Sequence, residues 1–343
     1  MNSRCIAVPL REGENIRKAL LEQGILRNDV AITRDDGFIY FPVTAEDAEQ
    51  ILGYGIQERD FQALESTTKS YRDVVEIPEE LREHLPSSFD VIGRIAVIKI
   101  PEELMDYGKN IGDAIIEANK SVVTVAVDSG VEGEERLRQL QVVAGINELL
   151  TVHKEYGMEL EVEPSKVYFS PRLATEHWRI AGMVEEGEVV IDMFCGVGPF
   201  SILIARHARP KKVYALDIND SAIELARRNI QSNKVSNVTA ICGDSNILVT
   251  ELEPADRIIM NLPHSAYDFL PAAFSNIRHG GTIHYYEVLP PEGVRDRFAD
   301  IADLAGNHDI IAMKAGEKEV HTYSPQTNLY CLDLRVQRGE DNV

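Results

Sequence analysis

From about Pro164 the chain alternates short apolar runs with stretches of helical spacing. "EVVIDMF", "KKVYALDI", "NVTAICGD", "DRIIMNLP" and "GTIHYYEVL" are four to eight apolar positions long, several rich in β-branched or aromatic residues. Continuous apolar runs of that length are strands buried on both faces, and the intervening helical segments imply a mainly parallel, doubly wound α/β sheet of Rossmann-like type over residues 164–343. Two smaller α+β units precede it. In residues 1–67, "ENIRKALLEQG" places Ile16, Ala19, Leu20 and Leu21 on one helical side and ends on Gly24. "AITRDDGFIYFPV" reads as two strands joined at Asp-Asp-Gly, and Thr44 with Asp47 opens a capped helix ahead of Ala48, Ile51 and Leu52. In residues 68–163 a charged, proline-containing connection (70–88) leads to a strand in "DVIGRIAVIKI", a helix in "GKNIGDAIIEANKS" and a strand in "VVTVAVDS". The sequence carries no internal repeat or low-complexity tract.

Four polar residues, Asp192, Asp217, Asp244 and Asn261, fall at the carboxyl ends of four consecutive predicted strands. Ligands of open α/β sheets bind there. In "VVIDMFCGVGPFSI", Gly196 and Gly198 allow a tight turn and a close backbone approach, and Pro199 suits the first position of a helix. A dinucleotide fingerprint wants a third glycine where Ser201 stands, which disfavours nicotinamide cofactors. Asp192 accepts from an α-ammonium and repels a diphosphate. Asp217 is placed for both hydroxyls of a ribose, and Asp244 for an adenine amino group. Ammonium, ribose and adenine together describe S-adenosyl-L-methionine. "SAIE" (221–224) resembles a capping box opening the helix after Asp217.

"RIIMNLPHSAYDF" ends a strand on Asn261, and Pro263 forces the exit into an extended path, so the amide is a fixed hydrogen-bonding arm; an Asn that only closes a strand before a turn is the other reading. A net charge of −21 and a pI near 4.9 argue against nucleic-acid binding. Local fields decide such binding, however, and "RHARPKK" (206–212), "RLR" (136–138) and Arg227-Arg228 are candidates for a basic face. About two arginines per lysine equally fit a salty cytosol. Cys5, Cys195, Cys242 and Cys331 form no Cys-x-x-Cys pair, so neither a disulfide framework nor a metal site is expected. No stretch has the length of a membrane span or a secretory leader, and the expected setting is cytoplasmic. Trp178 and Ile180 are expected to pack, His284 to be a core or edge histidine, and His264 is ambiguous.

The motifs of the last 180 or so residues resemble class I S-adenosylmethionine-dependent methyltransferases. There an Asn-Pro-Pro-aromatic motif usually accepts from an exocyclic amine, and Asn261-Leu262-Pro263-His264 departs from that pattern. With "EERLRQLQVVAG" and "KVYFSPRLATEHWRIAG" (166–182), the whole chain closely resembles the archaeal and eukaryotic-type tRNA guanine-N1 methyltransferases, which act on the guanine 3′ of the anticodon, position 37. The resemblance implies a tRNA partner contacted at the anticodon region and, through the N-terminal domain, at its distal body. A monomer is expected, and the lack of a membrane-length apolar stretch sets aside membrane attachment. The resemblance makes Glu176 the base, Arg136 the O6 partner and Asn261 the amide orienting the guanine edge. Its cofactor set is Arg172, Asp192, Phe194, Gly196, Gly198, Asp217, Ile218, Asp244, Asn261 and Pro263.

The chemistry agrees with that set, because guanine N1 carries a proton, so methylation needs a base and a donor for the charge that grows on O6. From the residues alone, Arg136 reads as a surface arginine beside Glu134 or Glu135, and Glu176 as a helix-surface carboxylate pairing with Arg172 or Arg179. The sister family that transfers an aminocarboxypropyl group lacks the Asn-Leu-Pro element. Two alternatives stand beside the main reading: a transferase acting on the wyosine-type intermediate at the same nucleotide, and a tRNA-binding factor that keeps the cofactor only structurally. "HTYSPQTNLYCLDLRV" resembles the family's closing strand, with Tyr323 to Pro325 bordering the pocket.

Overall fold

The structure, a computed structural model, describes residues 2–13, 16–17, 20, 25–27, 29–35, 37–44, 54–62, 70–132 and 137–338. It divides into two compact units, residues 1–73 and 74–343. The first holds an antiparallel sheet of β1 (Asn2–Pro9), β2 (Thr33–Arg34), β3 (Phe38–Pro42) and β4 (Ile56–Asp60), in the order β2-β3-β1-β4. The hairpin read from Asp-Asp-Gly is present as β2–β3. Ile6, Val8, Leu20 and Phe41 form its core. The capped helix expected after Thr44 lies outside the described residues, as does most of the helix expected before Gly24.

A helical turn (α1, Tyr71–Val74) spans the division, and the second unit continues with a 3-10 segment at Glu79–His84. Then come β5 (Asp90–Ile92), β6 (Ile95–Ile98), α2 (Gly108–Ala118), β7 (Thr124–Glu132) and β8 (Leu137–Gly145), a mixed sheet in the order β5-β6-β7-β8. "DVIGRIAVIKI" is therefore a hairpin rather than one strand. Its turn needs Gly93, whose φ is +56° and whose Cβ would run into Thr151 and the Val152 carbonyl. A second hairpin, β9 (Thr151–Glu155) and β10 (Met158–Val162), follows.

The remaining elements are α3 (Ala174–Met183), β11 (Val189–Asp192), α4 (Pro199–His207), β12 (Lys212–Asp217), α5 (Asp220–Ser232), β13 (Val238–Cys242), α6 (Ser245–Glu251), β14 (Ala255–Met260), α7 (Leu270–Asn276), β15 (Ile277–Leu289), α8 (Val294–Gly306), β16 (Ile310–Ser324) and β17 (Thr327–Arg338). The strands form one seven-stranded sheet, β13-β12-β11-β14-β15-β17-β16. Its first five members are parallel and β17 runs antiparallel to both its neighbours. The expected closing strand is a hairpin, since β16 and β17 turn back on each other at Ser324–Thr327. Alternate residues feed opposite faces. Val190, Ile259 and Tyr286 join Ile180, Phe200 and Ile223 on one side, and Ile191, Ile258 and Tyr285 join Leu270, Phe274 and Ile301 on the other. Chain order reverses between β11 and β14, which puts the ligand crevice at their carboxyl ends. The helix after Asp217 is capped by Asn219, which accepts from the Ala222 amide at 3.2 Å, so the capping residue is not Ser221.

Asn229 of α5 and Asn233, the residue that caps its carboxyl end, act as a strand edge for β10. Asn229 accepts from the Glu161 amide at 2.7 Å and donates to its carbonyl at 3.1 Å; Asn233 does the same for Glu159 at 3.1 and 2.7 Å. Asn229 also donates to the Val197 carbonyl, at 3.0 Å, inside the glycine turn. Asn229→Ala therefore strands several buried backbone groups and is expected to cost about 2–4 kcal/mol in equilibrium denaturation. A loss below about 0.5 kcal/mol would show that water replaces the amide.

Candidate active site

Two neighbouring strands end on buried acceptors that have no donor. Asp192, at the end of β11, is fully buried; its Oδ2 accepts from Ser201 Oγ at 2.8 Å, while Oδ1 has no hydrogen-bond partner. The Oδ1 of Asn261, just past the end of β14, is likewise buried and unpaired. Leaving such atoms unpaired costs a few kcal/mol unless a ligand supplies donors. Burial pushes the Asp192 carboxyl up to about 7; the Ser201 hydroxyl opposes this, Asp217 adds to it, and the Phe194 and Ser201 amides temper it. Ser201, read from sequence only as a missing glycine, is thus the residue that holds Asp192.

The turn between them is built for close approach. Gly196 and Gly198 sit at φ +54° and +90°, and a Cβ on Gly198 would stand 3.2 Å from Ile202. Asp217 accepts from the Gly196 amide at 2.7 Å and from the Asn219 amide at 2.9 Å, which fixes its carboxylate over the turn. Ile218 is 65% exposed beside it. Phe194 packs edge-on to Phe269 with centroids 4.9 Å apart. Asp244 caps α6 through the Asn246 amide at 2.9 Å, a structural duty the sequence reading did not give it. Pro263 accepts from the Val288 amide at 3.1 Å, pinning the Asn-Leu-Pro exit to β15.

Glu176 is not a surface carboxylate. It is 3% exposed, takes Arg179 as a fork at 2.7 and 2.8 Å, and accepts from the Tyr286 hydroxyl at 2.7 Å. Met260 pairs with Tyr285, so Tyr286 lies level with Asn261, and Glu176 is held at the same end of the sheet. Arg172 pairs instead with Asp90 at 2.9 Å. Arg138 reaches Asp90 and Asp128 at 3.5 and 3.7 Å and is largely buried, so it forms no part of a basic face. Lys211 and Arg228 pair with Glu253 and Glu161. Arg136 lies outside the described residues. Ile180 and His284 are fully buried, whereas Trp178 is 41% exposed and stacks on Tyr156 at 4.8 Å rather than packing inside. His264 stands edge-on to Tyr323 at 5.4 Å, which brings the β16–β17 turn to the Asn261 loop.

Sheet order, glycine turn and three acidic strand ends define an α/β transferase of the class I S-adenosylmethionine-dependent type, and the unpaired Asp192 acceptor, the open glycine turn and the Asp217 carboxylate fit that cofactor's ammonium, close approach and ribose. Comparison with known proteins narrows the class. A TRM5/TYW2 methyltransferase domain model matches residues 151–309, a TYW2 N-terminal domain model 72–148, and a tRNA methyltransferase 5 N-terminal domain model 5–51. The chain is 45% identical over 336 residues to the tRNA (guanine(37)-N(1))-methyltransferase Trm5b of Pyrococcus abyssi, covering 96% of this chain and 98% of that one. The crystal structure of that Trm5b superposes with a TM-score of 0.74 at 43% identity, covering 98% and 99% of the two chains. The complex of aTrm5 and tRNALeu gives a TM-score of 0.68 at 32% identity, covering 96% and 99%. The tRNA 4-demethylwyosine(37)-methyltransferase Taw21 of Saccharolobus solfataricus is 36% identical over 204 residues, 57% of this chain and 76% of that one. The chain belongs to the TRM5/TYW2 methyltransferase family.

Proposed function

We infer that this enzyme transfers the methyl group of S-adenosyl-L-methionine to N1 of guanine 37 in tRNA. The observation that carries the reading is that an unpaired Asn261 oxygen, just past β14, and a buried carboxylate, Glu176 on α3, held by Tyr286 of β15, lie at the same end of the sheet. An enzyme for an exocyclic amine needs the first of these alone; one for a protonated ring nitrogen needs both. When bound, the cofactor supplies a sulfonium methyl, and the new N–C bond forms as the C–S pair returns to sulfur. Asn261 accepts from the guanine 2-amino group and orients the edge. Glu176 receives the N1 proton and later releases it to solvent. Arg136 meets the charge on O6. Asp192 takes the cofactor ammonium and Asp217 its ribose, with Phe194, Ile218, Asp244 and Pro263 around the base, the glycine turn beneath, and Arg172 nearby. The first unit contacts the distal body of the tRNA, and that substrate sets the enzyme in the cytoplasm.

Nucleoside mass spectrometry of an unmodified transcript incubated with full-length protein and cofactor tests this. One methyl at N1 of guanine 37 is expected, and none with adenine there; N2-methylguanosine would refute the assignment. An anticodon stem–loop is expected to bind more weakly than the whole tRNA, and equal affinity would remove the role given to residues 1–73. The likeness to Taw21 makes a transcript bearing the tricyclic intermediate the natural second substrate, and methylation of that substrate alone would transfer the assignment to it.

A further inference from the structure

Glu176 is the end of a buried chain of charges. Beyond it, Arg179 turns its outer edge to Asp333, at 2.8 and 3.3 Å. Asp333 Oδ1 lies 2.6 Å from His284 Nδ1, and His284 Nε2 lies 2.8 Å from a nitrogen of Arg257. Arg257 forks onto Glu188 at 2.8 and 2.9 Å and donates to the Met183 carbonyl at 2.7 Å. A guanidinium has no lone pair to offer, so His284 Nε2 must accept, and the ring proton sits on Nδ1 facing Asp333. Burial lowers the His284 pKa against the pull of Asp333, which keeps the ring neutral. His284, Cys331 and Asp333 have ligand-type atoms within 4.8 Å of one another, but Arg257 covers the imidazole lone pair and Arg179 the carboxylate, so the trio is no cation site.

Counting the chain gives three carboxylates, two guanidiniums and a neutral ring, a surplus of one negative charge. One proton on Glu176 makes it neutral. Burial would push Asp333 up, yet the hydrogen bonds from His284 and Arg179 hold it well below the carboxylate range, so it stays ionised. Arg179 is raised, because its bonds to Glu176 and Asp333 outweigh burial. The groups facing Glu176 are Arg179 from its own helix, Tyr286 from β15, and Cys331 and Asp333 from β17.

We propose that Asp333 is a positioning residue for Glu176: it shares Arg179 with it, and takes over the guanidinium when Glu176 accepts the N1 proton. The proposal rests on Glu176 being the base. It makes the basicity of Glu176 depend on a residue 157 positions away in the chain, because any gain of Arg179 by one carboxylate is a loss to the other.

Single-turnover methyl transfer measured against pH, at saturating tRNA and cofactor, tests it. Asp333→Asn leaves Arg179 wholly to Glu176; the acid limb is expected to move down by about half to one pH unit and the plateau to fall at least fivefold. His284→Leu removes the other donor to Asp333, draws Arg179 away from Glu176, and is expected to move the limb up. Asp333→Glu, which restores the anion, is expected to return the limb toward native. A limb unmoved in both Asp333→Asn and His284→Leu, with rates merely scaled, overturns the proposal. If Asp333→Asn does not fold, the direction of the His284→Leu shift decides, and no shift overturns it. Glu176→Gln run alongside separates the two levels: a near-native rate there removes the base itself, whatever Asp333 does.

Discussion

Glu176→Gln is expected to lower the single-turnover rate of methyl transfer by roughly 10²- to 10⁴-fold, the usual worth of a positioned base. Gln keeps the shape and one acceptor for Tyr286 while removing basicity. The fold should tolerate it. With Glu176 neutral, the chain from Glu188 to Arg179 holds two carboxylates and two guanidiniums, and Asp333 still pairs with Arg179 at 2.8 Å, so no buried cation is abandoned. Affinities for tRNA and cofactor should change far less than the rate, because the lost interaction belongs to the transition state. Raising pH should partly restore the mutant by ionising guanine N1 in solution. A mutant within about threefold of native at every pH would return Glu176 to a structural role, as the inner anchor of Arg179.

The contrast between what the chain announces and what it hides is clearest around this residue. The β11–β15 strands were legible because continuous apolar runs and following helices are local signals, and the places of Asp192, Asp217 and Asn261 at strand ends were legible because each terminates such a run. Asp244 stands just past its strand as expected, and the helix cap it forms there was not legible, since capping a helix and facing a ligand look alike from a strand end. Only one part of the environment of Glu176 was legible, its pair with Arg179 three positions on, which helical spacing gives. Its partners Tyr286 and, through Arg179, Asp333 lie 110 and 154 residues away from the side chains they bind, and no spacing rule links a helix carboxylate to two later strands. Spacing alone leaves such a position a surface carboxylate beside an arginine, and the burial of Glu176 is what it does not show. The same blindness hid the β9–β10 hairpin, whose edge is completed by two asparagines, one in α5 and one capping it, that read in sequence as ordinary polar residues. Trp178 packs, but the expectation did not say where: the fold leaves it 41% exposed, against Tyr156 and His207.

Cofactor affinity is expected to depend on pH through Asp192, with the sign set by its raised pKa. In the empty protein the carboxyl titrates at about 7, since burial disfavours the anion. A ligand ammonium at Oδ1 favours the anion, so only the ionised form binds well. Affinity should fall about tenfold per unit below pH 7 and level off above it until the ligand's own α-ammonium deprotonates at about pH 8, and binding at pH 6 should release about one proton, seen by titration calorimetry in buffers of different ionisation enthalpy. Stability runs the other way. A carboxyl whose folded pKa lies above its unfolded one stabilises the fold fully below the unfolded value, and that contribution is lost as pH rises through about 7, to the extent of about 4 kcal/mol at most. The free protein is then weakest above pH 7, where the cofactor stabilises it most, and the thermal shift on adding cofactor should grow from pH 6 to pH 8. Asp192→Asn keeps the Ser201 contact and removes the charge. It is expected to melt higher than native at pH 8 without cofactor, to lose the pH dependence of binding, and to bind roughly 30-fold or more weakly at pH 8, the scale of a truncated buried charge pair. Cofactor affinity that is flat with pH in the native enzyme would show that Asp192 does not titrate in this range, and equal affinity in Asp192→Asn would show that the ammonium is held elsewhere.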